Sequence, residues 1–256
     1  IITRLALNAL KKHKVFNESA MTNILKKRNY NSLTSPDDIC LPFLWGPTVF
    51  VYKEDGNPGV IPSVKNLPEY VKKGYKVDII DDPSEFYALF RTENICKEKD
   101  LDCYQMYYSR YLKVFNSKNF KSTIEVKDVG EKYIFYGWLG ATMSLFNKLD
   151  GIKVSIPKNP VIAQDFLCLT AKSNLDLNKA VKFAELLTNQ INSRRNELHS
   201  GYFSPYLNPK RKENGVFKYK PVFEKKILEK SYQYLSGTND HVFKALHDQW
   251  TKLRYE

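Results

Sequence analysis

Short apolar runs alternate with segments of helical periodicity throughout this chain of 256 residues. Such alternation is typical of an α/β protein. The predicted strands cover residues 76–80, 133–136, 152–156 and 166–170. The predicted helices cover residues 6–16, 18–28, 82–91, 105–115, 141–149, 225–235 and 241–253, with a long helix that Asp176 caps and that continues past Ile191.

A proline inside the first long apolar run restricts what that run can form. The run contains the sequence WGPT at 45–48, and Pro47 has no backbone N–H to donate inside a helix. The run therefore predicts strand-like segments at 41–44 and 49–52, on either side of the tryptophan and glycine. A related sequence, YGWLGAT, returns at 136–142, after a later predicted strand.

The residues that follow the predicted strand at 76–80 carry a helix-start signal. Asp82 suits the N-cap position, Pro83 suits the first helical position, and Glu85 can return to the cap residue to close a capping box. Another carboxylate, Asp165, lies in an otherwise apolar run. It must therefore be paired, capped or exposed to a cleft, and we favour a cleft.

Composition allows one large domain or two modest lobes, because 43% of the residues are apolar. The net charge is +12, from 40 Lys and Arg against 28 Asp and Glu, but these lysines are mostly spread along the chain. This spread favours a solvated basic surface over a nucleic-acid or lipid-binding patch. No run of apolar residues is long enough for a membrane-spanning helix. Because the chain begins at Ile1 rather than Met, we expect that residues precede it in the natural protein.

The four cysteines lack the CxxC spacing of a metal site. Cys96 and Cys103 flank a polar stretch, and a disulfide between them would close a small loop and stabilise the fold by about 2.5 kcal/mol. Two free thiols would give the same sequence, so both states stay open. The four histidines form no i, i+4 pair, and we predict neither a metal site nor a cofactor.

Enzymatic signatures are weak in this sequence. Ser155 and Lys158 fit the letters of a Ser-x-x-Lys pattern, but the nearby Pro157 and Pro160 oppose the helix that this pattern needs. No nucleophile elbow, Walker motif or dinucleotide fingerprint occurs. We therefore predict that the protein is not an enzyme.

Four tyrosines between 104 and 111 lie near Arg110 and Lys113, a mixture that could stack on single-stranded nucleic acid. The tyrosines recur at intervals of three and four residues, which is the usual signature of a helix face packed in a core. We therefore predict packing here and no nucleic-acid partner.

Five segments in this order resemble the spermidine/putrescine-binding proteins of ABC importers, which have the type II periplasmic binding fold. The segments are LPFLWGPT at 41–48, DDPSE at 81–85, GWLGA at 137–141, AQDFL at 163–167 and GYFSP at 201–205. The resemblance extends through nearly the whole chain.

The resemblance implies two α/β lobes joined by crossing strands, with a ligand held in the cleft between them. Lobe one would comprise residues 1–48 and 160–256, and lobe two residues 49–159. Two β-α units of lobe one would precede Ile1. The implied protein is a monomer that serves an ABC permease from a periplasm or from an extracytoplasmic lipid anchor.

The family comparison also implies a polyamine site, in which carboxylates accept hydrogen bonds from ammonium groups and aromatic rings hold the methylenes. Asp82 and Glu85 would take one ammonium end, Trp138 would stack along the chain, and Asp165 would meet a second ammonium. Tyr202 and Thr238 would complete the site.

Plainer roles stay open for each of these residues, because Asp82 and Glu85 could be helix caps, and Trp138 and Tyr202 could be core residues. Trp45 is predicted to support the crossing strands. The chain also departs from the family where Ala163 replaces a tryptophan and Leu5 replaces an aromatic residue. These departures leave another amine, thiamine, iron or an organic anion as alternative ligands.

Overall fold

The computed structural model describes residues 2–3, 16, 40–54, 64–97, 100–115, 117–121, 129–170, 176–205, 215–229, 233–234 and 240–255. The described strands form one eight-stranded sheet. They are β1 (Ile2–Thr3), β2 (Leu41–Lys53), β3 (Lys76–Ile80), β4 (Phe120–Lys121), β5 (Tyr133–Trp138), β6 (Ile152–Ser155), β7 (Val161–Leu167) and β8 (Gln233–Tyr234).

Helices lie between these strands, so the α/β prediction is confirmed. The described α-helices are α1 (Leu67–Lys72), α2 (Pro83–Thr92), α3 (Leu101–Leu112), α4 (Met143–Lys148), α5 (Leu177–Leu187), α6 (Gln190–Ser200), α7 (Lys220–Leu228) and α8 (Asp240–Tyr255). Short 3₁₀ helices cover Val64–Asn66, Ser117–Asn119, Gly140–Thr142 and Gly215–Tyr219. None of the described helices is both long and apolar enough to cross a membrane.

The long strand β2 organises the sheet. Residues 41–47 pair antiparallel with β7, whereas residues 48–53 pair antiparallel with β5 and β6. The strands β6 and β7 therefore run back along successive halves of β2, with residues 156–160 between them. The chain thus passes twice between the half of the sheet around β7 and the half around β3 and β5. It does so once along β2 and once, in the opposite direction, from β6 to β7.

The largest core cluster lies around β2, β3 and β5, where successive strands are buried on both faces. The parallel pairs β3–β5 and β3–β4 are each linked through helices, as parallel strands require. Of the tyrosines on α3, Tyr104, Tyr108 and Tyr111 are buried in this core. The structure thus confirms packing for these three tyrosines.

Several strand and helix predictions need correction. The segments at 41–44 and 49–52 are one continuous strand, because Pro47 lies in a ladder instead of interrupting it. The strand predicted at 166–170 lies at Val161–Leu167, in register with β2. The prediction of a helix at 225–235 is wrong in its second half, where β8 pairs with β7. The helices predicted at 6–16 and 18–28 lie almost wholly outside the described residues.

The long helix predicted after Asp176 is two helices. Asp176 caps α5 as expected, because its side chain accepts a hydrogen bond from the Asn178 backbone N–H at 2.9 Å. The chain then turns at Asn189, whose extended backbone and side chain cap a second helix by accepting from the Asn192 N–H at 2.8 Å. A capping residue inside a periodic segment therefore divides it.

Helix α8 packs against α2 and α3, so the end of the chain contacts the segment assigned to lobe two. Trp250 of α8 is buried among Tyr108 and Phe120, and its indole N–H donates to Asp81 Oδ1 at 2.8 Å. Asp81 lies two residues before the start of α2. The C-terminal helix therefore fixes the loop between β3 and α2.

Two disulfides are present, and the described residues contain no free cysteine. The sequence left open whether Cys96 and Cys103 form a disulfide or stay free thiols, and the structure confirms the disulfide. The Cys40–Cys168 bond was not predicted, and it joins the residue before β2 to the residue after β7. Leu41 and Leu167 are adjacent partners in the ladder, so this disulfide closes the end of the β2–β7 pair.

Candidate ligand-binding site

Glu85 lies in the first turn of α2 and is completely buried. Its carboxylate accepts hydrogen bonds from the Thr48 hydroxyl at 2.6 Å and from the Trp138 indole N–H at 2.5 Å. The predicted capping box is therefore wrong, because donors from two strands occupy this carboxylate. Thr48 and Trp138 are direct partners across β2 and β5. Glu85 thus connects α2 to the point where β2 changes its partners.

Burial dominates the electrostatics of this carboxyl group. Removal from water, together with the nearby Asp82 carboxylate, raises the pKa of Glu85 to about 7, against the effect of its two hydrogen bonds. The group therefore changes charge close to neutral pH. A cation bound nearby would favour its ionised form.

Asp82 caps α2, as the sequence predicted. Its carboxylate accepts a hydrogen bond from the Ser84 backbone N–H at 2.9 Å and another from the Ser84 hydroxyl. Burial raises the pKa of Asp82, although its side chain stays partly exposed. Unlike Glu85, Asp82 is only partly buried.

Asp165 lies on the half-exposed face of β7. Buried residues Ile162, Gln164 and Phe166 alternate with partly exposed Ala163 and Asp165, as expected when successive side chains point to opposite faces. Burial raises the pKa of the Asp165 carboxyl group. The small side chain of Ala163 lies on the same face, and its partner across the ladder is Gly46, which the Tyr202 ring contacts.

Tyr202 follows α6 and lies against two glycines. A Cβ atom on Gly46 would come within 2.7 Å of the Tyr202 ring, and one on Gly140 within 2.9 Å. The pKa of the Tyr202 hydroxyl is raised by burial, and then by the carboxylates of Asp165 and Glu85. The Tyr202 hydroxyl therefore lies within electrostatic range of both acidic groups.

The structure brings together five residues that the sequence analysis selected, namely Asp82, Glu85, Trp138, Asp165 and Tyr202. Thr238 lies outside the described residues, as does Leu5. Asp82, Trp138, Asp165 and Tyr202 are each partly exposed. Together they provide two carboxylates and two aromatic side chains. Carboxylates accept hydrogen bonds from cations, and aromatic rings cover apolar groups.

Other contributors were not selected from the sequence. Thr48 was recognised only as part of the WGPT sequence, and its hydroxyl becomes a donor because β2 and β5 pair in this register. Gly46 and Gly140 belong to the two aromatic–glycine segments, but the close approach of Tyr202 explains their small size. Trp45 is buried and its N–H donates to the Ser204 carbonyl at 3.2 Å, which fits its predicted supporting role.

No metal centre is found among the described residues, because they contain no cluster of three or more His, Cys, Asp or Glu side chains. The candidate site contains carboxylates, aromatic rings and a hydroxyl.

The close contact between residues 201 and 140 gives a stability prediction. Gly201 and Gly74 both have left-handed backbone, with φ of 75° and 82°, but a Cβ on Gly201 would lie 2.6 Å from the Gly140 carbonyl oxygen, whereas one on Gly74 meets nothing. We expect Gly74→Ala to cost roughly 1 kcal/mol. Gly201→Ala should cost at least about 1 kcal/mol more, because a backbone oxygen cannot move aside easily. Urea denaturation measures the loss in free energy of unfolding for both variants. Equal losses would contradict the close approach of residue 201 to the Gly140 carbonyl oxygen.

Comparison with known proteins places this fold. No family model matches the chain, and no curated protein sequence matches it either. Solved structures do match, and they show that the chain has the type II periplasmic binding fold. The most similar ones include substrate-binding proteins of spermidine/putrescine ABC transporters.

A protein described as a spermidine/putrescine ABC transporter from Listeria monocytogenes matches with a TM-score of 0.77 and 13% identity, over 99% of this chain and 83% of that chain. The PotD substrate-binding protein of Streptococcus pneumoniae matches with a TM-score of 0.69 and 16% identity, over 98% and 82%. The TpPotD lipoprotein of Treponema pallidum matches with a TM-score of 0.73 and 10% identity, over 100% and 83%. The first two of these neighbours are described as parts of ABC transporters, but identities this low establish only the fold.

Proposed function

We propose that this protein is an extracytoplasmic solute-binding protein that captures a polyamine, putrescine or spermidine, and delivers it to an ABC importer. The observation that supports this most directly is the grouping of two partly exposed acidic residues with two partly exposed aromatic residues around Glu85, Asp82 with Trp138 and Asp165 with Tyr202. The polyamine transport role of several structural neighbours agrees with this chemistry.

Each ligand group has a proposed partner in this site. An ammonium group needs charged acceptors that it can reach, and Asp82 and Asp165 meet this requirement. Glu85 is 0% exposed, so we assign it an indirect role, in which it orients the Trp138 indole and adds negative charge beneath the ligand. Trp138 and Tyr202 would then cover the methylene chain and attract its cationic ends.

The basic surface does not exclude a cationic ligand. The net charge of +12 would repel cations at long range, but salt screens exposed charges beyond about 8 to 10 Å. The carboxylates of the candidate site act at shorter range and from partly buried positions, where screening is weaker. Binding should therefore depend on these local groups.

We also propose that the lobes meet where β2 changes its partners, with residues 1–48 and 160–256 in lobe one and 49–159 in lobe two. The C-terminal helix α8 is the part of lobe one that crosses over, because it packs against α2 and α3 of lobe two. This division is supported by the change of pairing between residues 47 and 48, and by the gap between β6 and β7 at 156–160. Asp82, Glu85 and Trp138 would then come from lobe two, and Asp165 and Tyr202 from lobe one. The protein would act as a monomer, either free in a periplasm or lipid-anchored.

A changed ligand is the second candidate function. Ala163 leaves the face beside Asp165 without the tryptophan that polyamine binders of this family carry there. Other neighbours of the same fold are a periplasmic thiamin binding protein, with a TM-score of 0.63 and 15% identity, and the Atu4243-GABA receptor, with a TM-score of 0.66 and 13% identity. A site with one less aromatic wall could hold a bulkier or differently shaped amine.

A thermal-shift panel separates these two functions. Because a ligand that binds only the folded state stabilises it by mass action, the correct ligand raises the melting temperature. We expect putrescine or spermidine to raise it, and thiamin, GABA and sodium chloride at equal concentration to leave it unchanged. A rise with thiamin or GABA alone would replace the polyamine proposal with a changed ligand.

The buried carboxyl group of Glu85 predicts a dependence of stability on pH. Its folded-state pKa of about 7 lies above its ordinary value of 4.5, so the stability it contributes is complete below pH 4.5 and is lost as the pH rises through 7. Glu85→Gln imitates the protonated form, since the amide can donate to the Thr48 hydroxyl. The difference in free energy of unfolding between wild type and Glu85→Gln should change by up to about 1.4 kcal/mol per pH unit between the ordinary and the raised pKa of Glu85.

Urea denaturation at pH 5, 6, 7 and 8 measures this effect. The free energy of unfolding of wild type should fall relative to that of Glu85→Gln as the pH rises. Groups other than Glu85 titrate in both proteins, so their effects cancel in this difference. Parallel pH profiles for the two proteins would show that Glu85 does not titrate near neutral pH.

A further inference from the structure

The turn that carries Tyr202 is fixed by a buried carboxylate outside the candidate site. Glu197 lies in α6 and is 0% exposed. Its Oε1 accepts hydrogen bonds from the Ser204 backbone N–H and from Lys220 Nζ, both at 2.6 Å, and its Oε2 accepts from Arg194 Nη1 at 2.9 Å. Its backbone carbonyl also accepts from the Gly201 N–H at 2.8 Å. Glu197 therefore binds both ends of the turn at 201–204.

The two residues after Tyr202 are fixed from a second direction. Phe203 and Trp45 exchange backbone hydrogen bonds of 2.7 and 2.8 Å, and the Trp45 indole N–H donates to the Ser204 carbonyl. The turn is thus held between Glu197 on one side and β2 on the other. The Tyr202 ring then has little freedom, because it also lies against Gly46 and Gly140.

The hydrogen bonds of the Glu197 carboxylate are not needed to end α6. Gly201 already ends the helix in the left-handed conformation, as many helices end without a buried charge. A fully buried carboxylate must be compensated by close charged partners, and Arg194 and Lys220 provide them here with side chains that are 25% and 10% exposed. Such networks are best known for selecting one arrangement of packed elements over others.

We infer that Glu197 is a positioning residue, whose carboxylate holds the turn at 201–204 so that Tyr202 stands in the candidate ligand-binding site. This inference rests on the proposed function for the part that concerns the ligand. It goes beyond that function because it assigns a role to a residue that was not included in the candidate site.

The test compares two variants that both lack Lys220. Lys220→Met keeps the Glu197 carboxylate, which stays paired with Arg194 and bonded to the Ser204 N–H. Glu197→Gln combined with Lys220→Met removes one negative and one positive charge, so the buried cluster keeps the net charge that it has in wild type. Glu197→Gln alone would leave both cations without their carboxylate and could fail to fold.

Hydrogen exchange of single amides is the first readout. We expect the Ser204 and Phe203 amides to exchange about 10-fold faster in the double variant than in Lys220→Met, because a charge-assisted hydrogen bond is lost. The Thr188 amide at the end of α5 should not change. Equal protection of Ser204 in both variants, or a matching increase at Thr188, would overturn the inference.

Spermidine affinity is the second readout, measured by calorimetry on the same proteins. The double variant should bind several-fold more weakly than Lys220→Met, and an unchanged affinity would show that the turn does not position a ligand group. If wild type binds no spermidine, the proposed function fails, whereas hydrogen exchange still decides whether Glu197 fixes the turn.

Discussion

Replacing Asp82 and Asp165 by asparagine should remove most of the affinity for a polyamine. Each substitution keeps the shape of the side chain but loses a charged acceptor for an ammonium group. A hydrogen bond to a charged group is worth about 1.5 to 3 kcal/mol, so each variant should bind roughly 10- to 100-fold more weakly. The double variant should lose roughly 1,000-fold, because the two carboxylates would meet different ammonium groups.

A matched control is available for the capping role of Asp82. Asp100 caps α3 in the same way, by accepting a hydrogen bond from the Cys103 N–H at 3.0 Å, and it is exposed. Asparagine is also a good N-cap, so neither Asp82→Asn nor Asp100→Asn should unfold its helix. Calorimetric titration with spermidine should show the loss for Asp82→Asn only. An equal loss in both variants would indicate a nonspecific effect of surface charge.

Removing the Cys40–Cys168 disulfide should have the largest effect on stability. This bond joins residues 128 positions apart, and chain entropy gives it a stabilising effect of about 5 kcal/mol. The Cys96–Cys103 bond spans only 7 positions, which corresponds to about 2.5 kcal/mol. The larger loop restricts the unfolded chain more, so its removal costs more.

The matched pair for this experiment is Cys40→Ala with Cys168→Ala against Cys96→Ala with Cys103→Ala. Each double variant leaves the other disulfide intact. Urea denaturation under nonreducing conditions should place the first variant below the second in free energy of unfolding. Equal losses, or a larger loss for the Cys96–Cys103 pair, would contradict the role of the β2–β7 disulfide.

The sequence predicted those features that depend on neighbouring residues. The strand Lys76–Ile80 was predicted with its correct ends, and Asp82 and Asp176 cap the helices that follow them. In each case the signal lies within a few residues, in the alternation of apolar side chains or in a side chain that can accept from the next turn.

Features decided by distant partners were missed or misassigned. Glu85 looks like a capping residue until Thr48 and Trp138 supply stronger donors from two strands. The limits of β7 depend on its ladder with β2, and the pairing of Cys40 with Cys168 depends on the same ladder. Local periodicity contains no information on which strands become neighbours.

The candidate site shows both kinds of outcome. Its carboxylates and aromatic residues were selected because five short segments occur in a familiar order, and the structure places the described ones together. The reason for the glycines in those segments was not visible in the sequence, because it lies in the Tyr202 ring that approaches from a distant turn. The indirect role of Glu197 depends on a fold contact of the same kind.

The most direct test of the proposed function is calorimetric titration of the complete mature protein with putrescine and spermidine at physiological salt. We predict saturable binding of one polyamine per protein, with a dissociation constant in the micromolar range or below, which corresponds to about −8 kcal/mol or stronger. Saturable binding that Asp165→Asn weakens as predicted would support the polyamine site. An absence of heat with both amines, from a protein that unfolds cooperatively, would contradict it.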